Sequence, residues 1–463
     1  MLCMHSVFIF IFIFVIYFEA MLECVFFWIT AVTGLGFFSY NILKIKKNIS
    51  YGRDVNRSDN KSKRLKTMLL VAFGQKKMFS RLIPAILHLC IYVAFMITSL
   101  ELFEIFADGL FGYHRLFRSS LSSFYTFIVS FIEVLSILAL IATFIFLSRR
   151  NLLKIPRFQM SEMKGWPKLD ANLILFVEII LVSFIFTMNG ADEVLYNNGH
   201  AHGTSESGSY NFAVSQYLGP LLFDSFSNDQ LHVLERIGWW GHIILVLAFL
   251  NYLPYSKHFH IMLAFPNTYY SNLEKKGKFS NMDSVTQEVK LMMDPNADPY
   301  AAPPENAPAP QSFGAKDVND LTWKNLMDSY TCTECGRCTS ACPANLTGKL
   351  LSPRKIMMDT RDRLEEYGDH KRKNGADADD GKSLLGDYIS EEELWACTSC
   401  NACVDECPVN IDPLSIIIDL RRYLVMEESK VPSELTGMLT NIENNGAPWQ
   451  FSPSDRLNWA KEE

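Results

Sequence analysis

A chain of 463 residues with 49% hydrophobic side chains, 34 Phe and a positive mean hydropathy is too apolar for an ordinary pair of soluble domains. Its net charge of -7 is mild and supplies no basic face for nucleic acid. Of eleven cysteines only Cys3, Cys24 and Cys90 lie outside two tight groups, a usage that indicates ligation in a reducing compartment and argues against disulfides.

Residues 1–21 form an apolar extension. Its core, Val7 to Phe18, is short for a membrane span and lacks the basic start of a signal peptide, so it reads either as a sixth helix or as a segment upstream of a start at Met21. Five longer apolar runs follow in residues 22–265: Leu22 to Leu43, Leu82 to Phe106, Leu121 to Leu147, Ala171 to Met188, and Ile237 to about Leu263. Each can cross a hydrocarbon core, which takes about 20 residues of helix. The loops orient them, because Lys and Arg are retained on the cytoplasmic side. Lys44 to Arg81 holds twelve basic residues against Asp54 and Asp59, and Arg149 to Lys168 holds six. Asn189 to Leu231 has none, and Ala107 to Ser120 only Arg115 and Arg118. The first and third loops are therefore expected inside, and an odd number of spans leaves the C-terminal half in the cytoplasm, at the inner membrane.

Ionisable groups inside spans are costly in lipid and so mark candidate sites. His88 sits about seven residues inside the cytoplasmic end of the second span, a depth of roughly 10 Å. In the last span His242 and His260 are 18 residues apart, which on one continuous helix places them on a shared face about 27 Å apart. Only His260 matches the depth of His88. A b-type haem needs two facing imidazoles, so His88 and His260 form the expected pair, with His258, on the face opposite His242, as the rival. A lone membrane histidine is more often hydrogen-bonded inside the bundle, but two helices presenting them at one depth reverse that balance. His200 and His202 read as solvated loop residues, while His114 and His232 lie near the external boundary. Glu133 and Glu178 fall near the centres of the third and fourth spans. Each reads either as a proton-handling group for a quinol or as a protonated carboxyl bonded between helices.

Residues 266–320 turn polar and then Pro/Ala-rich, with AAPPENAPAP at Ala301 to Pro310, the composition of an extended linker. In residues 321–430, Leu321 to Tyr330 leads into the first cysteine loop, helical patterns lie at Pro353 to Tyr367 and Pro413 to Met426, a helix start at Ser390, and a charged loop from Gly368 to Lys382. Between these lie Cys332, Cys335, Cys338, Cys342-Pro343 and Cys397, Cys400, Cys403, Cys407-Pro408, two copies of CxxCxxCxxxCP. Three closely spaced thiolates wrap one [4Fe-4S] cluster, while the fourth, turned away by its proline, ligates the neighbouring one. The expected sets are Cys332, Cys335, Cys338 and Cys407 for one cluster, and Cys397, Cys400, Cys403 and Cys342 for the other. Structural zinc is the alternative, but zinc knuckles need neither the third cysteine nor the proline. The 65 residues between the runs suit helical inserts, so the expected fold class is all-α: a transmembrane bundle of five helices, or six with the extension, followed by an α-helical ferredoxin domain and a tail at 431–463. No GxGxxG, Walker loop or CxxCH is present.

Ile86-Leu87-His88 in the second span, and His242 followed by Pro254, Tyr255, Ser256, Lys257, His258, Phe259 and His260 in the last, resemble the cytochrome b subunit of respiratory nitrate reductase. The cysteine half resembles the dicluster segment of heterodisulfide reductase iron-sulfur subunits. A fusion of the two, over about residues 22–430, is similar to bacterial heterodisulfide-reductase-like, quinone-linked membrane oxidoreductases. The resemblance implies a haem b on His88 and His260. An external-side haem would keep only His242, because Thr98 stands where that family carries its other histidine. No CCG motif of the substrate-cleaving subunit is present, which implies a soluble iron-sulfur CCG-domain partner. The function expected is that of a membrane electron-transfer subunit linking the quinone pool, haem b and two [4Fe-4S] clusters to that partner. A membrane-bound iron-sulfur accessory protein for respiratory oxidase maturation is the alternative; those usually carry a β-sandwich domain after the clusters.

Overall fold

The computed structural model describes residues 2–201, 207–296 and 312–461, so His202 and the Ala301 to Pro310 linker lie outside the described residues. All regular elements among the described residues are helical, apart from isolated bridges between Arg53 and Thr322 and between Leu385 and Ile389. The all-α expectation holds. The chain divides into two compact units, one formed by Met1–Lys46 and Gly74–Ile261, the other by Lys47–Phe73 and Met262–Glu463.

The first unit contains five helices long and apolar enough to cross a membrane: Met21–Ile49, Leu82–Phe111, Ser123–Asn151, Trp166–Asn197 and Asn228–Tyr255. A helix is the form such segments take in hydrocarbon, because it satisfies every backbone N–H and C=O internally. The N-terminal extension is no separate element. A single helix, Leu2–Ile49, runs through it into the first span. Phe27, Ile105, Ile185, Met188, Trp239, Ile243 and Leu247 form one apolar cluster joining the first, second, fourth and fifth spans. The fourth and fifth spans pack closely. At Gly238 a Cβ would lie 2.6 Å from the backbone nitrogen of Met188, so glycine there permits the approach.

The last span departs from the continuous helix expected over Ile237 to Leu263. The helix Asn228–Tyr252 opens on a Ser227–Gln230 capping box and stops at Tyr252. Two 3-10 turns follow, Leu253–Tyr255 and Lys257–Phe259, on either side of an extended Ser256, and a new helix, His260–Tyr269, begins at the histidine. Pro254 has no N–H to continue the ladder, and its ring clashes with the carbonyl four residues back. The five-turn spacing and shared face inferred for His242 and His260 therefore do not hold.

In the second unit, the inter-span segment Lys47–Phe73 packs with the cysteine-bearing half. Arg53 N–H donates to Leu321 O at 2.7 Å, and Trp323 N–H donates to Arg53 O at 3.0 Å. The helices Trp323–Thr331, Pro353–Asn374 and Pro413–Met426 form the scaffold, with Ile356, Leu364, Ile416, Ile417 and Leu420 buried between them. Ser390 caps Glu391–Trp395 through a capping box with Glu393, as its sequence suggests. The loop expected from Gly368 begins only after Asn374. Gly368 is a packing residue: it sits inside the helix, where a Cβ would collide with the Asn48 side chain.

Candidate cofactor sites

The two cysteine loops share one backbone design. The second residue after the first cysteine, Glu334 or Ser399, and the fourth, Gly336 or Asn401, have φ of 53°, 56°, 67° and 63° respectively. These left-handed turns curl each loop so that a backbone N–H faces its own first thiol. Glu334 N–H donates to Cys332 Sγ, and Ser399 N–H to Cys397 Sγ, each at 3.4 Å. Short helices, Arg337–Ala341 and Ala402–Glu406, leave the loops and pack against each other. That contact crosses the two runs.

Cys332, Cys335, Cys338 and Cys407 line one small cavity together with Arg354 and Met357, and Cys403 of the second run also reaches it. Cys342 lies close enough to Cys397 and Cys403 to oppose their ionisation. Each fourth cysteine thus neighbours the other run. Burial pushes the Cys332 thiol up to about 12 and raises Cys338 and Cys403 as well. Thiols so desolvated become thiolates only beside concentrated positive charge, which iron provides. Among the described residues no three His, Cys, Asp or Glu side chains converge on a single ion position. Of the five thiols around this cavity, the four of Cys332, Cys335, Cys338 and Cys407 match the ligand number of a cuboidal cluster. Exposure differs between the sets: Cys332, Cys342, Cys403 and Cys407 are buried, whereas Cys400 reaches the surface. Arg421 flanks the second loop, donating to Leu394 O at 3.0 Å and to Cys397 O, and stacking 4.9 Å from the centre of the Trp395 ring.

In the membrane unit the rings of His88 and His260 lie 6.4 Å apart between centroids. His88 Nδ1 is 3.1 Å from Gln75 Oε1, and His260 Nδ1 is 3.1 Å from Lys257 O. Both partners are acceptors, so Nδ1 carries the proton, and Nε2 is the nitrogen able to ligate on each ring. His258 is held between Phe249, at 5.5 Å, and His260, at 5.4 Å. His242 bonds Leu181 O at 3.2 Å. A metal–imidazole bond is about 2 Å, and the ring centre lies about 1 Å beyond the nitrogen, so two rings on one iron have centres about 6 Å apart. The spacing of His88 and His260 fits a bis-imidazole haem.

The turn that presents His260 is held by Asp170 of the fourth span, a residue the sequence did not single out. Its carboxylate accepts hydrogen bonds from Tyr252 Oη, Ser256 Oγ and Lys257 N–H. The buried Lys257 ammonium stands 3.8 Å away and donates to Pro167 O at 2.6 Å. The signal was there to read. Asp170 and Lys257 are opposite charges at adjoining ends of the fourth and fifth spans.

A second unanticipated feature is a buried polar network at the other end of the bundle. Arg115 donates to Asp192, to Tyr125 Oη at 3.1 Å and to Asn189 Oδ1 at 2.8 Å, and Tyr125 donates to Glu104 at 2.7 Å. Glu101, Glu104 and Asp108 lie on one face of the second span at helical spacing, which the sequence displays. Glu133 belongs here. Its carboxylate accepts from Val214 N–H at 2.7 Å, Ser215 N–H at 3.0 Å and the Ser215 hydroxyl, so it anchors a connecting segment. Glu178 is half-buried and outside the network.

Residues 331–411 match the family model described as 4Fe-4S dicluster domain. The chain carries that domain. The "Probable iron-sulfur-binding oxidoreductase FadF" of Bacillus subtilis is 31% identical over 428 residues, covering 86% of this chain and 55% of the relative. The "EtfAB:quinone oxidoreductase" of Syntrophomonas wolfei is 25% identical over 433 residues, covering 88% and 55%. One component of the ferredoxin- and F(420)H(2)-dependent CoB-CoM heterodisulfide reductase of Methanosarcina acetivorans is 35% identical over 107 residues, covering 23% and 52%. The chain thus spans about half the length of the curated relatives it matches. No solved structure matches it. These relatives are iron-sulfur oxidoreductases and heterodisulfide reductase subunits, and the five apolar helices make this chain a membrane protein.

Proposed function

We propose that this chain is the membrane electron-transfer part of a quinone-linked oxidoreductase, exchanging electrons between a quinone and a soluble redox protein. The observation that carries the reading is the coexistence in one chain of a facing histidine pair among membrane helices and two crossed sets of four cysteines. Cys332, Cys335, Cys338 and Cys407 hold one [4Fe-4S] cluster, and Cys397, Cys400, Cys403 and Cys342 the other. His88 and His260 hold a b-type haem, His242 faces no partner histidine for a second among the described residues, and bound haem and clusters supply the one-electron carriers that polypeptide lacks. Hydroquinone oxidation yields two electrons, which leave singly, and two protons, released to water; quinone reduction consumes the same.

The side chains make the route directional in space. Cys400 is the exposed ligand, so the second set faces the soluble partner. The name of the Syntrophomonas relative supports an EtfAB-type partner, and the heterodisulfide reductase match supports work in a complex with other subunits, for which a soluble CCG-domain subunit is the reading proposed. The cysteine unit lies in the cytoplasm, at the inner membrane. The basic loop Lys44 to Arg81 supports this, as does the grouping of the segment Lys47–Phe73 inside it with the cysteine-bearing half.

The test is anaerobic purification of the full chain in detergent, with iron, sulfide and haem quantified and visible and EPR spectra recorded on adding a quinol. About eight irons with one b-type haem, both responsive to quinol, is the expected result. Zinc in place of iron, or clusters without haem absorption, would overturn the reading.

A further inference from the structure

Three histidines gather where the fifth span breaks, and the haem proposed above uses His88 and His260. His258 is left over. Its ring lies 5.4 Å from that of His260, inclined by 72°, and 5.5 Å from that of Phe249. Its backbone N–H donates to Ser256 Oγ at 3.0 Å, but among the described residues neither of its ring nitrogens has a hydrogen-bond partner. The other two rings differ, since Nδ1 of His88 is held by Gln75 and Nδ1 of His260 by the Lys257 carbonyl. His258 is half-buried, and its unpaired nitrogens are not sealed in the core, so a ligand can reach them.

The surroundings select the kind of ligand. Phe249 carries the line of rings on to Tyr252, 6.2 Å away between centroids, and Tyr252 to Trp166, 6.4 Å beyond it. Trp166 is exposed at the start of the fourth span, where Leu169 and Leu173 are exposed too, so the strip of rings runs from an outward-facing apolar surface to His260. Lys257, the cation next in sequence, is committed to Asp170 and to Pro167 O, which leaves an anionic head group no charge to take from it. An acyl chain would leave the imidazole unpaired, at a cost. A neutral, flat ring that carries oxygens meets both demands, because it stacks on aromatic faces and bonds the imidazole.

We propose that His258 binds the quinone head group, which lies against Phe249 with one oxygen hydrogen-bonded to the imidazole. The inference rests on the quinone-linked function proposed above and gives it a location beside His260. His258 is thereby a binding residue and not the rival haem ligand that its place in the sequence suggests. An uncharged imidazole has one N–H and one bare nitrogen, so it donates to a quinone carbonyl or accepts from a hydroquinone hydroxyl. One side chain serves both redox forms.

The test uses the full chain with its cofactors in lipid nanodiscs, and menadione and menadiol as probes. Anaerobic equilibrium dialysis, corrected against empty nanodiscs, measures both Kd values for wild type, His258→Phe and His258→Gln. Phenylalanine keeps a ring between Phe249 and His260 but removes both nitrogens, whereas glutamine supplies a donor and an acceptor again. His258→Phe is expected to raise both Kd values about tenfold and His258→Gln to stay within about threefold of wild type, with haem absorption at full strength in each. Reoxidation of the dithionite-reduced wild type by menadione is recorded in parallel; each menadione takes two electrons from the reduced carriers and two protons from buffer. Loss of the haem band in His258→Phe would show that the imidazole ligates or buttresses the haem instead, and would overturn the assignment. If menadione reoxidises the wild type but the Kd values of His258→Phe match it, the location is wrong and the quinone-linked function stands. If menadione does not reoxidise the wild type at all, that function itself is wrong.

Discussion

The imidazole rings of His88 and His260 face each other with centroids 6.4 Å apart and planes inclined by 44°. One belongs to the second span and the other opens the helix that follows the Pro254 break. Each has its Nδ1 committed to an acceptor oxygen. Replacing either by Ala should abolish b-haem absorption in the purified protein while leaving about eight irons and their EPR signals in place. An unchanged haem band in His88→Ala would transfer the role to His258.

Asp170 acts on this pair from a distance, by fixing Tyr252, Ser256 and Lys257. Asp170→Ala leaves the buried Lys257 ammonium without its carboxylate, a loss of about 3 kcal/mol. Haem content should fall and any remaining b-band should broaden, while the iron-sulfur spectrum stays as in wild type. Absorption spectra of the purified variant decide it, and wild-type haem stoichiometry would dismiss the role.

The crossed cysteine sets make a prediction that adjacent sets would not. Cys407→Ala should remove the cluster of the first run, although Cys407 lies in the second, and Cys342→Ala the cluster of the second run. Each variant is expected to retain about half the iron. The double variant Cys335→Ala with Cys407→Ala should then lose no more iron than either single change. Additive loss, measured as iron per chain, would refute the crossing.

Arg421 keeps its guanidinium against the carbonyls of Leu394 and Cys397. A cation beside a cluster favours the reduced, more negative state. Arg421→Gln should lower the midpoint potential of the Cys397 cluster by tens of millivolts and leave the other within error. Equal shifts in both clusters, in an EPR-monitored titration, would show that the effect is not local.

Arg363 is fully buried and bonds both Asp317 and Asp380, with Asp380 Oδ1 at 2.9 Å. That hydrogen bond holds the Asp380 carboxyl at about 2, below the ordinary aspartate range. The sign follows from linkage: the stabilisation is complete above the unfolded-state value near 4 and is lost as pH falls through about 2. Asp380→Asn should lower Tm by a few degrees at pH 7 and lessen the loss of stability between about pH 4 and pH 2. Thermal melts across that range check it, and an unaltered acid limb would contradict it.

Much of this protein was legible in one dimension. The five spans, the dicluster spacing and the Pro413–Met426 helix follow from local rules: a minimum apolar length, a fixed ligand period, a proline at a helix start. His88 and His260 could be chosen by depth because two helices crossing one bilayer share an axis, so depth survives even where the helix assumed around His260 does not. Gly368 and Glu133 mark the limit. A glycine that signals a loop by propensity proved to be a close-contact position inside a helix, and a mid-span carboxylate proved to anchor the backbone at Val214 and Ser215.

Sequence alone determined which residues are able to ligate and which segments are apolar enough to cross, because those are properties of side chains and their spacing. Only the tertiary structure decided that Asp170 fastens the turn after Pro254 and that Arg115 collects buried carboxylates from separate helices. These depend on contacts between residues tens of positions apart. No local period encodes them, since the partner of a buried charge is selected by what the folded chain brings within hydrogen-bonding distance.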